Sequence, residues 1–263
     1  MKVGICQMDI VWENEQQNMK KALTFLEQAK EAGDDLIIFP EMCMTGFSME
    51  PWHFARERKD SEVVAFFKEQ AKKEHIAVAF GIAEKKGNQY YNKLLVTDKT
   101  GELIADYTKI HPFSYAGEEQ YFEKGSELQF FSVEDCLCSG FICYDLRFPE
   151  LFMEAARKAE VLFVCANWPA GRREHWKVLL QARAVETQSY MIGVNRTGEG
   201  NGLTYTGDSM IIAPDGSILA GPVEGEEMLH ATLRKEEVSK QRSSFPIRND
   251  RRPDLYEKFY TGE

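Results

Sequence analysis

Three ionisable side chains of different chemistry each close an apolar, strand-like run: Glu41 ends LIIFPE, Lys109 ends ADYTK and Cys143 ends GFIC. Strand ends in open sheets commonly face a shared crevice, so groups far apart in the chain can meet there. A thiol is a strong nucleophile only as its thiolate. A carboxylate beside it can take the proton, and an ammonium can stabilise negative charge on sulfur or on an attacked carbonyl oxygen. Glu, Lys and Cys together therefore make a set suited to acyl transfer. Each residue also has a plain structural reading. Cys143 follows Phe141 and Ile142, where a free cysteine is most often a small core side chain. Glu41 can cap a following helix or pair with Arg56, and Lys109 can be a solvated strand-end charge. Spacing alone leaves both readings open.

The elements that must position these residues follow from periodicity. KVGICQMDI alternates as a strand, and NEQQNMKKALTFLEQAKEAG is an amphipathic helix with Ala22, Phe25, Leu26 and Ala29 on one stripe and Gly33 at its end. DLIIFPE is a buried strand, SEVVAFFKEQAKKEH a second helix and IAVAFGIAEK a strand. YYNKLLVTDKTGELIADYTK predicts a hairpin turning at DKTG, and LQFFSVEDCLCSGFICYD predicts two strands around an acidic turn. PELFMEAARKAE is helical, with Pro149 in its first turn, where a missing N–H costs little. Then come the strand VLFVCAN, the helix REHWKVLLQARAVETQ and strands in YMIGVNRTG, YTGDSMIIAPDGSILAG and EMLHATLR. The tail from about residue 235, charged and interrupted by prolines, reads as a surface extension on a single domain spanning 1–263. This rhythm predicts two packed sheets with helices outside, although alternation alone also permits a doubly wound parallel sheet.

Composition narrows the function. With 263 residues the chain can bury a sizeable core. A net charge of -10 argues against general binding to nucleic acid or membrane surfaces, while leaving room for a local basic pocket. No segment has the length and apolarity of a membrane span, and the N-terminus lacks a secretory pattern, so a cytoplasmic protein is expected. Six cysteines are too sparse for a disulfide framework. Cys136 and Cys138, close before Cys143, raise a thiol redox or metal site as a rival function, but LCSGFI between them and beyond reads as strand, not as the turns that present zinc ligands.

LIIFPEMCMTGF, YTKIHPF and FICYDLRFPELF resemble, in this order and across nearly the whole chain, the three signature segments of the nitrilase (carbon–nitrogen hydrolase) superfamily. That resemblance implies an α/β fold built as a four-layer α-β-β-α sandwich, assembled as a homodimer or larger homo-oligomer. It places a glutamate base on Glu41, a lysine on Lys109 and a cysteine nucleophile on Cys143. It also implies a second glutamate in the loop SYAGEEQYFEKG, where a spacing of seven residues before Gly125 favours Glu118 over Glu119. The oxyanion would be held by Lys109 and the N–H of Tyr144, and neither metal nor organic cofactor is implied.

Within the superfamily, ANWPAGRREHWKVLLQARAVETQSYMIGVNRTG most resembles the omega-amidase branch. This implies a small-molecule amide substrate: the terminal amide of a short dicarboxylic monoamide such as 2-oxoglutaramate or 2-oxosuccinamate. Nitriles, N-carbamoyl amines and deaminated glutathione are the alternatives within the superfamily. The carboxylate at the far end of an omega-amide calls for a bidentate arginine. Of Arg147, Arg172, Arg173 and Arg196, the loop pair Arg172 and Arg173 is favoured; Arg147 is expected in a structural ion pair and Arg183 within a subunit-contact helix. Trp168 is expected to wall the pocket.

Overall fold

A computed structural model describes residues 1–262. The first half of the chain contributes β1 (Lys2–Gln7), α1 (Glu15–Ala32), β2 (Leu36–Ile38), the single turn α2 (Pro51–Phe54) and α3 (Glu62–Glu74), then the meander β3 (Ala77–Lys86), β4 (Gln89–Thr97) and β5 (Leu103–Thr108). The second half follows with β6 (Phe131–Val133), β7 (Cys136–Ile142), α4 (Pro149–Ala155), β8 (Val161–Ala166), α5 (Arg173–Thr187) and β9 (Tyr190–Asn195). A separate hairpin, β10 (Thr197–Gly200) and β11 (Leu203–Thr206), precedes β12 (Met210–Ile212), β13 (Ile218–Ala220) and β14 (Glu227–Thr232), and the chain continues through α6 (Lys235–Ser244) and α7 (Pro253–Thr261).

Two six-stranded sheets result, ordered β14-β1-β2-β3-β4-β5 and β13-β12-β9-β8-β7-β6. Each has a parallel trio at its centre, β1-β2-β3 and β9-β8-β7, flanked by antiparallel strands. The layering follows from period-two alternation. Val3, Ile5, Leu36, Ile38, Ala77, Ala79, Leu94 and Val96 face the second sheet, in one core with Phe141, Phe163 and Ile192. Their neighbours Cys6, Ile37, Phe39, Val78, Phe80 and Leu95 face outward against Phe25 and Leu26 of α1 and Phe67 of α3. On the far side, Phe152 of α4 and Trp176, Leu180 and Ala184 of α5 cover the second sheet. The architecture is the expected four-layer α-β-β-α sandwich, and the doubly wound alternative does not apply.

The local signals hold where they are chemical. Asn14 caps α1 by accepting from the Gln17 N–H at 3.0 Å, and Gly33 ends it with φ 73°. Asp98 accepts from the N–H groups of Thr100 and Glu102 to make the β4–β5 turn. YMIGVNRTG does not run on as one strand: β9 stops at Asn195, and Arg196 leads into the separate hairpin. The tail is more ordered than a charged extension suggests. Val238 of α6 is buried, and the Arg242 guanidinium donates to the carbonyls of Ala156, Ala159 and Gln188. It thereby satisfies carbonyls at the end of α4 that have no helical partner.

One close approach links the scaffold to Glu41. A Cβ built on Gly81 of β3 would lie 2.6 Å from the Glu41 Cα and 2.8 Å from the Pro40 carbonyl oxygen, both backbone atoms. Gly81→Ala should therefore cost about 1–3 kcal/mol of stability and lower the thermal midpoint by roughly 2–4 °C per kcal/mol, as read by calorimetry, while displacing the loop that carries Glu41.

Candidate active site

The residues at the strand ends meet. β2 delivers Glu41, β5 delivers Lys109, β7 delivers Cys143 and β8 delivers Asn167, all on one edge of the paired sheets. Lys109 Nζ donates to Glu41 Oε1 at 2.9 Å and to Glu118 Oε2 at 2.9 Å and Oε1 at 3.2 Å. Glu118, in the short turn Glu118–Gln120, also accepts from the Phe113 N–H at 2.5 Å, whereas Glu119 is exposed. The other Glu41 oxygen, Oε2, accepts from the Asn167 N–H at 3.0 Å. The Asn167 side chain donates to the Glu41 carbonyl at 2.6 Å, and the main-chain carbonyl of Asn167 lies 3.9 Å from Cys143 Sγ. Glu41, Lys109 and Glu118 are buried almost completely. Cys143 is the one cysteine of the six with partial exposure.

Two backbone positions carry strain. Met42 and Cys143 adopt φ values of 43° and 45°, a region that non-glycine residues rarely enter. At Cys143 the strain is held by Asp145, whose carboxylate accepts from the Ile142 N–H at 3.1 Å, the Tyr107 hydroxyl at 2.8 Å, the His111 N–H at 3.0 Å and His111 Nδ1 at 2.9 Å. Cys143 opens a 3-10 turn, Cys143–Arg147, so the Tyr144 N–H is among those with no partner inside the turn.

The electrostatics set protonation. Burial raises the Cys143 thiol well above its ordinary value, the Glu41 charge adds to this, and Lys109 offsets it only in part. The resting group is a thiol. Burial by itself would depress the Lys109 ammonium, but Glu118 and Glu41 outweigh it and hold the ammonium above the usual lysine range. Glu118 is raised, by burial first and by Glu41 next, against the opposing pull of Lys109.

A cavity of about 170 Å³ opens over Cys143, walled by Phe47, Phe113, Tyr144, Asn167, Trp168 and Tyr205, with Arg147 and Arg172 at its edge and no Asp or Glu among its lining residues. The four arginines of interest separate here. The Arg172 guanidinium stacks 5.4 Å over Phe113 and 6.0 Å over Tyr115, and its carbonyl accepts from Trp168 Nε1 at 2.8 Å. Arg173 faces away, bound to Asp208 at 2.6 Å and Glu224 at 2.8 Å. Both carboxylates bind its Nη2, and Arg173 is not among the residues lining the cavity, so it lies apart from the Arg172 with which it was paired in expectation. Arg196 is fully buried and donates to the carbonyls of Ile10 and Glu199, pinning the β10–β11 hairpin. Arg147 is in no ion pair among the described residues. It lies 4.8 Å over the Trp168 ring and 3.3 Å from His175 Nδ1, facing the cavity. Arg183 is buried in α5 and donates to the Leu146 carbonyl.

Cys136 and Cys138 point into the core on one face of β7, where burial pushes the Cys136 thiol up to about 11. The sequence reading missed Asn92, Asn167 and Asp145. For Asn92 a signal existed: it shares the inward face of β4 with Leu94 and Val96, and an amide there breaks an apolar pattern.

A four-layer sandwich with a buried carboxylate, ammonium and partly open thiol at one crevice is the arrangement of the hydrolases of carbon–nitrogen bonds. The chain belongs to the Carbon-nitrogen hydrolase family, whose profile matches residues 2–243. It is 35% identical over 256 residues to the 2-oxoglutaramate amidase of Bacillus subtilis, covering 97% of this chain and 98% of that one. It is 31% identical over 252 residues to the omega-amidase YafV of Escherichia coli K12, covering 95% and 96%. A CN-hydrolase superfamily protein of Xanthomonas campestris, crystallised with an arsenic adduct in its active site, superposes with a TM-score of 0.90 at 28% identity, covering 96% of this chain and 97% of that one.

Asp145→Ala would leave the Tyr107 hydroxyl and the Ile142 N–H buried without an acceptor. It should cost on the order of 3 kcal/mol, measurable as a lowered urea midpoint, whereas removal of the exposed Glu119 carboxylate should leave that midpoint unchanged.

Proposed function

We propose that this chain hydrolyses the terminal amide of a short dicarboxylic monoamide, of the 2-oxoglutaramate or 2-oxosuccinamate kind, to the acid and ammonia through a thioester on Cys143. The observation that carries the substrate class is the cavity itself. It is lined by the thiol and by two guanidiniums without carboxylate partners among the described residues, and no Asp or Glu lines it, so it favours a small amide with an anionic far end. Arg172 is assigned to that carboxylate, with Trp168 as wall and Arg147 as the second cation. The names of the Bacillus subtilis and Escherichia coli relatives support the same class.

In the proposed mechanism Glu41 takes the Cys143 proton as sulfur attacks the amide carbon. Lys109 and the Tyr144 N–H hold the oxyanion, a role worth a few kcal/mol per donor. The C–N bond breaks as Glu41 returns the proton to the leaving nitrogen, releasing ammonia. Water then gives a proton to Glu41 and attacks the thioester; the C–S bond breaks, and Glu41 returns the proton to sulfur. Glu118, held by Lys109, orients first the amide nitrogen and then the water.

The same reading carries three wider statements. The chain acts as one domain over 1–263, with the part from about 235 as an extension; the family match over residues 2–243 supports a single domain across that range. It assembles as a homodimer or larger oligomer, supported by Val178 and Val185 left exposed along α5. It works in the cytoplasm, supported by six unpaired thiols; no helix among the described residues is long and apolar enough to cross a membrane.

Ammonia release should be measured over 2-oxoglutaramate, 2-oxosuccinamate, nitriles and N-carbamoyl amines. Turnover of the omega-amides is expected, with loss of all activity in folded Cys143→Ala. Turnover of nitriles or carbamoyl amines instead would overturn the substrate class. Arg172→Ala should raise KM for 2-oxoglutaramate about tenfold or more while sparing the alkylation of Cys143. The pH profile has a definite sign. The proposed role of Glu118 requires its ionised form, so activity should fall as pH drops through the raised Glu118 value, while the upward shift of Lys109 keeps the ammonium charged through the alkaline range.

A further inference from the structure

Asn92 touches three members of the site at once. Its Nδ2 donates to Oε1 of Glu41 at 2.8 Å and to Oε1 of Glu118 at 2.8 Å. Its main-chain carbonyl accepts the Lys109 N–H at 2.9 Å. The side chain is buried, and its Oδ1 has no partner among the described residues. The orientation follows from chemistry, because the flipped amide would set its oxygen against two carboxylates. A buried acceptor left unpaired is costly, so the two donated hydrogens are what this side chain supplies.

We propose that Asn92 is a positioning residue that holds Glu41 and Glu118 in their charged forms at a fixed separation, keeping Glu41 able to take the Cys143 proton. The inference rests on the assignment of Glu41 and Cys143 made above. Two buried carboxylates share one ammonium, leaving one negative charge in excess. Uptake of a proton would relieve that excess. A Glu41 already carrying that proton is a neutral acid, far too weak a base to take the one on Cys143. Lys109 balances one charge, and Asn92 favours the charged state of both carboxylates through one charge-assisted hydrogen bond to each. Position and protonation are thus set by one amide, in the middle of a strand where the register of β4 against β3 and β5 leaves it no freedom.

The test uses the whole protein and two readouts against pH: kcat/KM for ammonia release from 2-oxoglutaramate, and the rate of Cys143 alkylation by iodoacetamide followed by the mass of the modified peptide. In Asn92→Ala both rates should fall at least tenfold near neutral pH, and the acid limb should move upward by about one pH unit or more, since a lost hydrogen bond to a carboxylate raises its pKa. Asn92→Asp, which adds a third carboxylate, should move the limb further. Asn92→Ser, which keeps one donor, should fall between, and it decides the question if Asn92→Ala does not fold. A uniform loss of rate with the acid limb unmoved overturns the proposal, as does a wild-type profile. If 2-oxoglutaramate is not hydrolysed but the alkylation limb still moves, the role of Asn92 is supported and the substrate assignment falls.

Discussion

The structure depends on the burial of one ammonium between two carboxylates. Lys109, Glu41 and Glu118 lie out of solvent, where an uncompensated charge costs several kcal/mol even after relaxation. Removing any one of them would expose its partners to that cost, so the trio constrains everything around it. The constraint is met by donors: the Asn92 amide, the Asn167 and Phe113 N–H groups and Lys109 itself give Glu41 and Glu118 a partner on every oxygen. These donors come from β4, from the segment after β8 and from the loop after β5. The trio thereby ties both sheets together at the edge where the crevice opens.

Precision at that edge is obtained by strain and by close approach. Met42, directly after Glu41, and Cys143 both sit at positive φ, and each is over-determined by its surroundings. Cys43 N–H bonds the Gly81 carbonyl at 3.1 Å, which pulls the Glu41 loop onto β3. Asp145 gathers hydrogen bonds from Ile142, Tyr107 and His111, which fixes the turn that begins at Cys143. His111 is in turn stacked on Phe148 with ring centroids 3.7 Å apart. The loop after Lys109 and the helix entry after Cys143 are thus built as one unit.

Much of the architecture was legible because apolar periodicity reports which faces are buried, and in this fold nearly every strand and helix has a clear buried face. The helix cap at Asn14, the turn at Asp98 and the strand ends carrying Glu41, Lys109 and Cys143 follow from local chemistry. Side-chain direction at the mouth of the cavity was not legible. Arg172 and Arg173 are adjacent in the chain yet part company, because Arg173 opens α5 and meets Asp208 and Glu224 while Arg172 stays in the loop. Arg147 was expected in an ion pair, but among the described residues it has none and rests on the Trp168 ring instead. Asn92 and Asn167 were passed over because an amide in or after a strand has no motif. Their meaning lies in contacts 51 and 126 residues away.

The partners of the cations divide construction from recognition. Lys109, Arg173 and Arg196 donate to carboxylates or carbonyls within the chain, while Arg173 Nε and Arg196 Nη1 have no partner among the described residues. Arg147 and Arg172 rest on aromatic faces, a contact that holds the guanidinium plane without consuming its donors. The thiol shows the complementary economy. Burial and the Glu41 charge both raise the Cys143 thiol, and Lys109 offsets this only in part.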